Sequence, residues 1–247
     1  MDLATLGLAM AIVLGAGFIS GLAAFGFALV AVPPLLLLYE PATVTSISIL
    51  LVLITRWLIL RYAWREVDWH TVATLLPTAL VGTVVGLLAI RELGAGWIEL
   101  IAGLVVVGSA MILLEGLTIP GASSRVAAPV AGLLSGMLAT STGMAGPPVV
   151  LLFAARRMPP QVFRGSMTIV FYLTGLLAIG LLVWDDLAGR EQLQISLALL
   201  PAAVAGTWLG QRALLRFSSQ QFHRLVLVLL LLTGSVAVLK AVGGLLF

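Results

Sequence analysis

The 247-residue chain contains no cysteine and little charge: 13 lysines and arginines, 10 aspartates and glutamates, and two histidines. Without thiols there are no disulfides, no thiolate metal ligands and no cysteine nucleophile. His70 and His223 lie far apart in polar connections, which argues against a histidine metal site. We therefore expect no metal and no cofactor, and a formal net charge of +3 is too small to indicate a nucleic-acid partner.

Apolar residues dominate the composition. They make up 61% of the chain and charged residues only 9%, whereas soluble domains average about 45–50% and about 25%. One 247-residue globule has too little interior for so many apolar side chains, so the solvent for most of the chain is lipid. This excludes an ordinary soluble enzyme. The start, residues 1–5, lacks the basic region of a signal peptide, so we expect the first apolar stretch to belong to the mature protein.

Short polar clusters divide the chain into apolar stretches, most of which have the roughly 20-residue length of a membrane-spanning helix. A β-barrel needs alternating apolar and polar residues, which are absent, so the sequence predicts an all-α integral membrane protein. The stretches are 3–38 (broken by glycines and Pro33-Pro34), 43–60, 71–90, 97–114, 126–153 (broken again), 166–184, 193–211 and 222–246.

An internal duplication is visible in these stretches. Both broken segments carry a Gly-x-x-Ser-Gly sequence, at 17–21 and 132–136, followed by a Pro-Pro pair. Residues 75–86 match residues 199–210 at a constant offset, with 7 of 12 positions identical. We predict repeat one at 1–118 and repeat two at 119–247, each a broken, re-entrant helical hairpin followed by three transmembrane helices.

The positive charges decide between two topologies. If each broken stretch is a hairpin that returns to its own side, ten basic residues lie inside (Arg56, Arg61, Arg65, Arg125, Arg156, Arg157, Arg164, Arg212, Arg216 and Arg224) and three outside (Arg91, Arg190 and Lys240). If each crosses once, only five of the thirteen lie inside. The positive-inside rule favours the hairpins. A returning hairpin plus three spans crosses the membrane an odd number of times. The second repeat is therefore inverted relative to the first, as in many secondary transporters. The sequence leaves open whether the first hairpin spans the membrane completely.

The hairpin tips are the candidate site, because irregular backbone at membrane depth has to be buried in protein or line a cavity. Glycines allow a ligand to approach the backbone, and free N–H groups at a helix start attract anions. We predict substrate contacts from ten residues: Ser20, Phe25, Gly26, Ser135, Thr140, Ser141, Thr142, Gly143, Gly146 and Arg164.

Each group has a simpler structural alternative. The Gly-x-x-x-Gly spacings, at 17–21, 82–86, 132–136 and 206–210, allow close helix packing. Ser20 and Ser135 can bond to the preceding helical turn, and Arg164 can be a plain interfacial anchor. Arg56, inside the span 43–60, is expected to snorkel to the inner interface beside Trp57. No Asp, Glu, Lys or His falls at the middle of a predicted span, which favours an anion or a neutral solute over a cation.

The two Gly/Pro-broken hairpins, at 17–34 and 132–148, and the repeated Pro-x-x-x-x-Gly-Thr-x-x-Gly segments resemble the sulfite exporter TauE/SafE family over nearly the whole chain. The resemblance implies transport of small sulfur-containing anions, such as sulfite and organosulfonates, across the cytoplasmic membrane of a bacterium. An arginine at the start of the span after the second hairpin, here Arg164, also resembles the family.

The sequence thus predicts a secondary transporter of a small sulfur oxyanion that works by alternating access around the two tips. A passive anion channel, or a carrier of another small anion such as a carboxylate, stays open as an alternative. An intramembrane serine enzyme is disfavoured, because no serine has a histidine or lysine partner at depth. The expected partners are the anionic substrate and the lipid bilayer. The exact anion, the direction, the coupling ion and the oligomeric state, with a homodimer as one alternative, are open.

Overall fold

A computed structural model describes residues 3–89 and 124–214 and the single positions 92, 221 and 228. These residues form helices joined by short connections, without a strand among them, which confirms the predicted all-α class. The helices are α1 (Leu3–Ala23), α2 (Phe27–Leu35), α3 (Pro41–Ala63), α4 (Trp69–Ala89), α5 (Ala127–Thr142), α6 (Gly146–Ala155), α7 (Pro160–Trp184) and α8 (Arg190–Leu214).

Five of the described helices, α1, α3, α4, α7 and α8, are long and apolar enough to cross a membrane. Four of them match the predicted spans 43–60, 71–90, 166–184 and 193–211 within a few residues. The predicted helix 97–114 lies outside the described residues, and so does 222–246 except for position 228, which is helical. The division into repeats at 1–118 and 119–247 therefore stays a prediction.

The two predicted hairpins differ in the length of their arms. In the first, α1 has 21 residues and is about 31 Å long, whereas the returning helix α2 has only nine residues. In the second, α5 has 16 residues and α6 has 10, so both are shorter than the roughly 30 Å of a bilayer core. The second hairpin therefore ends inside the bundle.

Local sequence explains where these helices begin and end. Gly26 and Gly143 adopt left-handed backbone angles, with φ of 90° and 72°, and each marks a hairpin tip. Pro41 and Pro160 open α3 and α7, where a missing N–H costs nothing. A carboxylate oxygen of Asp68 accepts the backbone N–H of Thr71 at 3.2 Å and caps the start of α4.

Glycines hold two pairs of helices at very short separation. α1 packs against α8 through Gly17 and Gly21 on one side and Gly206 and Gly210 on the other. α4 packs against α5 through Gly82, Gly86, Gly132 and Gly136. A Cβ built on any of these eight glycines would lie 1.9–2.7 Å from a backbone oxygen of the opposite helix. The structure thus confirms the packing role that the Gly-x-x-x-Gly spacings predicted.

Each pair joins a hairpin of one predicted repeat to a long helix of the other. Residue numbers rise together along both contacts, since Gly206 faces Leu14 while Gly210 faces Phe18. The two helices of each pair are therefore parallel. The first hairpin is consequently fixed to α8 and the second to α4.

Polar contacts between the connections mark the two ends of the bundle. At one end, the Gln192 side chain donates to Thr43 Oγ1 at 3.2 Å. At the other end, the backbone N–H of Asp68 donates to Ser166 Oγ at 2.9 Å and Arg156 Nη1 donates to Thr71 Oγ1 at 3.0 Å. The second hairpin both begins and returns at this second end, because Gly132 of α5 also lies against Leu75 near the start of α4.

Candidate functional site

A cavity of about 60 Å³ lies where the two hairpin tips meet. A site for one water needs about 10–15 Å³ by the same measure, so the cavity holds about four to six water-sized groups. It lies level with the middle of α3 and α7. Its lining comes from the first tip and α2 (Gly26, Phe27, Ala28, Leu29), α3 (Ser48, Ile49, Val52, Arg56), the second tip (Ala139, Gly143, Met144, Ala145, Gly146) and α7 (Phe171, Thr174, Gly175, Ala178).

The two tips lie close to each other. A Cβ built on Gly146 would lie 3.6 Å from Cδ2 of Phe25, and one built on Gly143 would lie 4.0 Å from the Cβ of Ala28, which are ordinary contact distances. The two glycines leave this space between the tips open, and the left-handed backbone of Gly143 disfavours a side chain there.

The first tip supplies free backbone donors. The first intrahelical bond of α2 runs from the N–H of Val30 to the carbonyl of Gly26 at 3.1 Å. The three preceding N–H groups, of Phe27, Ala28 and Leu29, have no partner within α2, as in the first turn of any helix. All three residues line the cavity, at the positive end of the helix dipole.

The second tip supplies fewer donors. Pro147 and Pro148 follow Gly146 at the start of α6 and carry no N–H. The carbonyl of Ala145 is occupied, because Ser135 Oγ donates to it at 2.6 Å. The backbone of the first tip is therefore better suited to an anion than that of the second.

The predicted hydroxyl cluster lies in the last turn of α5, beside the cavity and outside its lining. Ser141 and Thr142 donate to carbonyls one turn back in the same helix, at 2.7 and 3.0 Å. Thr140 donates across to the carbonyl of Thr83 on α4 at 2.8 Å. In this conformation the three hydroxyls hold the tip and its neighbouring helix in place.

The other predicted residues separate into two groups. Gly26, Gly143 and Gly146 line the cavity. Ser20 and Ser135 lie buried inside α1 and α5 and do not line the cavity. The ring of Phe25 is fully buried and packs against Phe163, with 6.2 Å between ring centroids.

Arg164 lies inside the bundle, where it donates from Nη2 to the carbonyl of Gly21 at 2.9 Å. Its Nε is buried and has no hydrogen-bond partner. The side chain does not line the cavity. It contacts the end of α1, where the negative end of the helix dipole favours a cation.

The expectation that Arg56 snorkels to the interface is wrong. Only 2% of the residue is exposed, and Nη1 donates to the carbonyl of Ala24. The guanidinium carbon lies 5.5 Å from the ring centroid of Phe171, and both residues line the cavity. The reason is the packing of α3 against α2, α7 and α8, which turns Arg56 inward while the next residue, Trp57, is 61% exposed.

Sequence reasoning missed Ser48 and Phe171 as well. Ser48 is 1% exposed, and its hydroxyl has no hydrogen-bond partner among the described residues. One signal was available: a charged residue inside an apolar span is a candidate functional residue by default, and Arg56 is the basic residue within 43–60.

Comparison with known proteins relates the chain to one family. The family described as sulfite exporter TauE/SafE matches residues 9–237. The chain is 27% identical over 208 residues to the "Probable sulfite/organosulfonate exporter TauE" of Cupriavidus necator, covering 82% of this chain and 81% of that protein. It is 26% identical over 177 residues to the "Probable inner membrane transporter protein TsaS" of Comamonas testosteroni, covering 69% and 72%. No solved structure shows a significant match.

Proposed function

Because the chain belongs to the sulfite exporter TauE/SafE family, we propose that it carries a small sulfur-containing oxyanion, sulfite or an organosulfonate, by alternating access between its two hairpin tips. The family is one of membrane transporters and not of enzymes. The five long apolar helices fit a multi-pass protein of a bacterial inner membrane.

The observation that carries the proposal is the cavity between the tips. A sulfite ion and the head of a sulfonate each have one sulfur and three oxygens, and a cavity of about 60 Å³ has room for about four to six atoms or groups of that size. The site lies within the bundle, between broken helices, as the substrate sites of many secondary transporters do. Both relatives named above are transporters, and one is named for sulfite and organosulfonate.

The two glycine-packed helix pairs supply the parts for alternating access. α1 with α8, and α4 with α5, are each held by backbone contacts too close for sliding. We expect each pair to move as a unit, with the first tip attached to one and the second tip to the other. Rocking of one pair against the other would then open the cavity to each side in turn.

Binding and transport can be tested separately. In detergent, sulfite, methanesulfonate and sulfoacetate should raise the unfolding temperature, because a ligand that binds only the folded state stabilises it by mass action. Sulfate, acetate and taurine serve as comparison ligands. In liposomes loaded with substrate, uptake of labelled sulfonate should saturate and should be accelerated by substrate on the far side.

Two results would contradict the proposal. If carboxylates stabilise the protein and no sulfur oxyanion does, the substrate class is wrong. If flux rises linearly with concentration and shows no acceleration by substrate on the far side, the protein conducts anions as a channel and alternating access is wrong.

A further inference from the structure

We propose that Arg56 and Ser48 of α3, together with the first turn of α2, bind the charged head of the transported anion. This assignment rests on the proposed function and names the recognising residues of that same cavity. It differs from the hydroxyl cluster at the second tip that the sequence suggested.

Arg56 is a buried cation that lacks a counter-charge among the residues that the structure describes. Within residues 3–89 and 124–214 no carboxylate pairs with it, and its polar contact there is the carbonyl of Ala24. The nearby charge of Arg164 has the same sign and opposes it. A buried charge without a partner is strongly unfavourable, so residues of this kind in membrane proteins usually serve a ligand or an ion path.

The guanidinium of Arg56 also has an unused hydrogen-bond donor, its Nε–H group. This Nε is buried and has no hydrogen-bond partner in the described ranges, while the guanidinium borders the cavity and approaches the ring of Phe171. A planar guanidinium matches two oxygens of an oxyanion at once, which an ammonium does not. An anion in the cavity therefore provides both the missing charge and the missing acceptor.

Ser48 adds a second unsatisfied donor on the same cavity. Several other buried hydroxyls bond to carbonyls of their own helix, as Thr55 does to Leu51 at 2.8 Å and Thr174 does to Val170 at 2.9 Å. In the described part of the chain the buried hydroxyls of Ser48 and Thr207 have no partner, and of these two Ser48 lines the cavity. A buried polar group without a hydrogen bond is costly, so it indicates an absent ligand.

Ser48 and Arg56 are two helical turns apart, a rise of about 12 Å along α3. Side chains on a helix lean towards its N-terminus, so the long arginine extends in the direction of Ser48. The first turn of α2 faces the same cavity with its free N–H groups. Three kinds of donor thus surround one small volume, which suits the three oxygens of a sulfite or sulfonate.

The test compares variants of cavity residues with a matched variant outside the cavity. Arg56→Gln and Ser48→Ala remove the proposed contacts. Arg56→Lys keeps the positive charge but removes the planar guanidinium that can donate to two oxygens at once. As the control, Ser141→Ala removes a hydroxyl that lies outside the lining and bonds within its own helix. For each purified protein, the apparent Kd for sulfite and for methanesulfonate is obtained from the ligand-induced rise in unfolding temperature.

Loss of a hydrogen bond to a charged ligand weakens binding by about tenfold or more. We expect this for Ser48→Ala, a larger loss of about 100-fold for Arg56→Gln, and an intermediate value for Arg56→Lys. Ser141→Ala should stay within about threefold of the wild type. If Arg56→Gln does not fold, Ser48→Ala and Arg56→Lys decide the question.

The outcomes separate this inference from the proposed function. If the wild type binds sulfur oxyanions and both cavity variants bind them equally well, the assignment of Arg56 and Ser48 is wrong while the function stands. If the wild type binds only a carboxylate and the cavity variants weaken that binding, the function is wrong and the anion site stands. If no anion stabilises the wild type, both are wrong.

Discussion

Replacing Gly21 with alanine should disrupt the contact between α1 and α8. A Cβ built at this position would lie 2.1 Å from the carbonyl oxygen of Thr207 and 2.8 Å from its carbonyl carbon. Ordinary contact starts near 3.4 Å, so the helices would have to separate locally by about 1.3 Å. The opposing atoms belong to the backbone, and no side-chain rotation can relieve the clash.

The loss in the free energy of unfolding follows from this geometry. Overpacking by one methyl group typically costs about 1–3 kcal/mol, and here the shift also loosens the contacts at Gly17 and Gly206. Between membrane helices close packing itself provides much of the stability, because lipid is as apolar as the side chains it would replace. A loss of about 2 kcal/mol lowers the unfolding temperature of a chain of this size by roughly 4–8 °C.

Gly15→Ala is the matched control. Gly15 lies on the same helix, and a Cβ there meets nothing within 4 Å. Both variants gain the same helix propensity, at most about 1 kcal/mol, so their difference isolates packing. Unfolding temperatures in mild detergent should therefore fall for Gly21→Ala and stay equal or rise for Gly15→Ala. Equal shifts in the two variants would refute the packing argument.

Three further predictions concern single side chains and loops. Thr140→Val should cost about 0.6–1.7 kcal/mol, measured by thermal unfolding, because the hydroxyl bonds to the carbonyl of Thr83 on another helix. Burial acts to raise the pKa of Asp68, but hydrogen bonds at the start of α4 lower it below its usual value. Its stabilisation is therefore present at neutral pH and lost as the pH falls through that lowered pKa, so Asp68→Ala should lose about 1 kcal/mol at pH 7 and little in strong acid. In this cysteine-free chain, Gly189→Cys should react with an impermeant maleimide from outside intact cells and Arg157→Cys only after permeabilisation; the reverse pattern would overturn the predicted orientation.

The apolar composition and the short polar clusters between the apolar stretches predicted the helices. In lipid, a helix satisfies the hydrogen bonds of the backbone N–H and C=O groups within the segment itself. Gly26 and Gly143, at the two predicted tips, both carry positive φ angles where one helix ends and the next begins. The same signals could not show which face of α3 is buried. Apolar residues surround Arg56 on both faces of that helix, so periodicity does not separate a lipid-facing position from one facing the bundle.

The hydroxyl cluster illustrates a second limit of the sequence. Thr140, Ser141 and Thr142 stand out because three consecutive hydroxyls are rare in an apolar stretch. A serine or threonine in a helix can, however, bond to a carbonyl one turn back, and Ser141 and Thr142 both do so. Only the three-dimensional arrangement distinguishes a hydroxyl that is satisfied by its own helix from one, such as that of Ser48, that has no partner.

Arg56, which is buried, and Arg164, which is half-buried, share a feature that links binding to motion. Arg56 donates to the carbonyl of Ala24 and Arg164 to that of Gly21, so both hold the end of α1. Ala24 itself has a φ of 63°, a left-handed conformation that costs an alanine about 1–2 kcal/mol and that its neighbours must maintain. In the proposed site, an anion that draws the guanidinium of Arg56 towards the cavity weakens one of the contacts that maintain this strained residue. Occupancy of the cavity and the conformation of the first tip are then coupled through a single side chain. A coupling of this kind is what alternating access requires, because a substrate moves an equilibrium only by interacting differently with its two states.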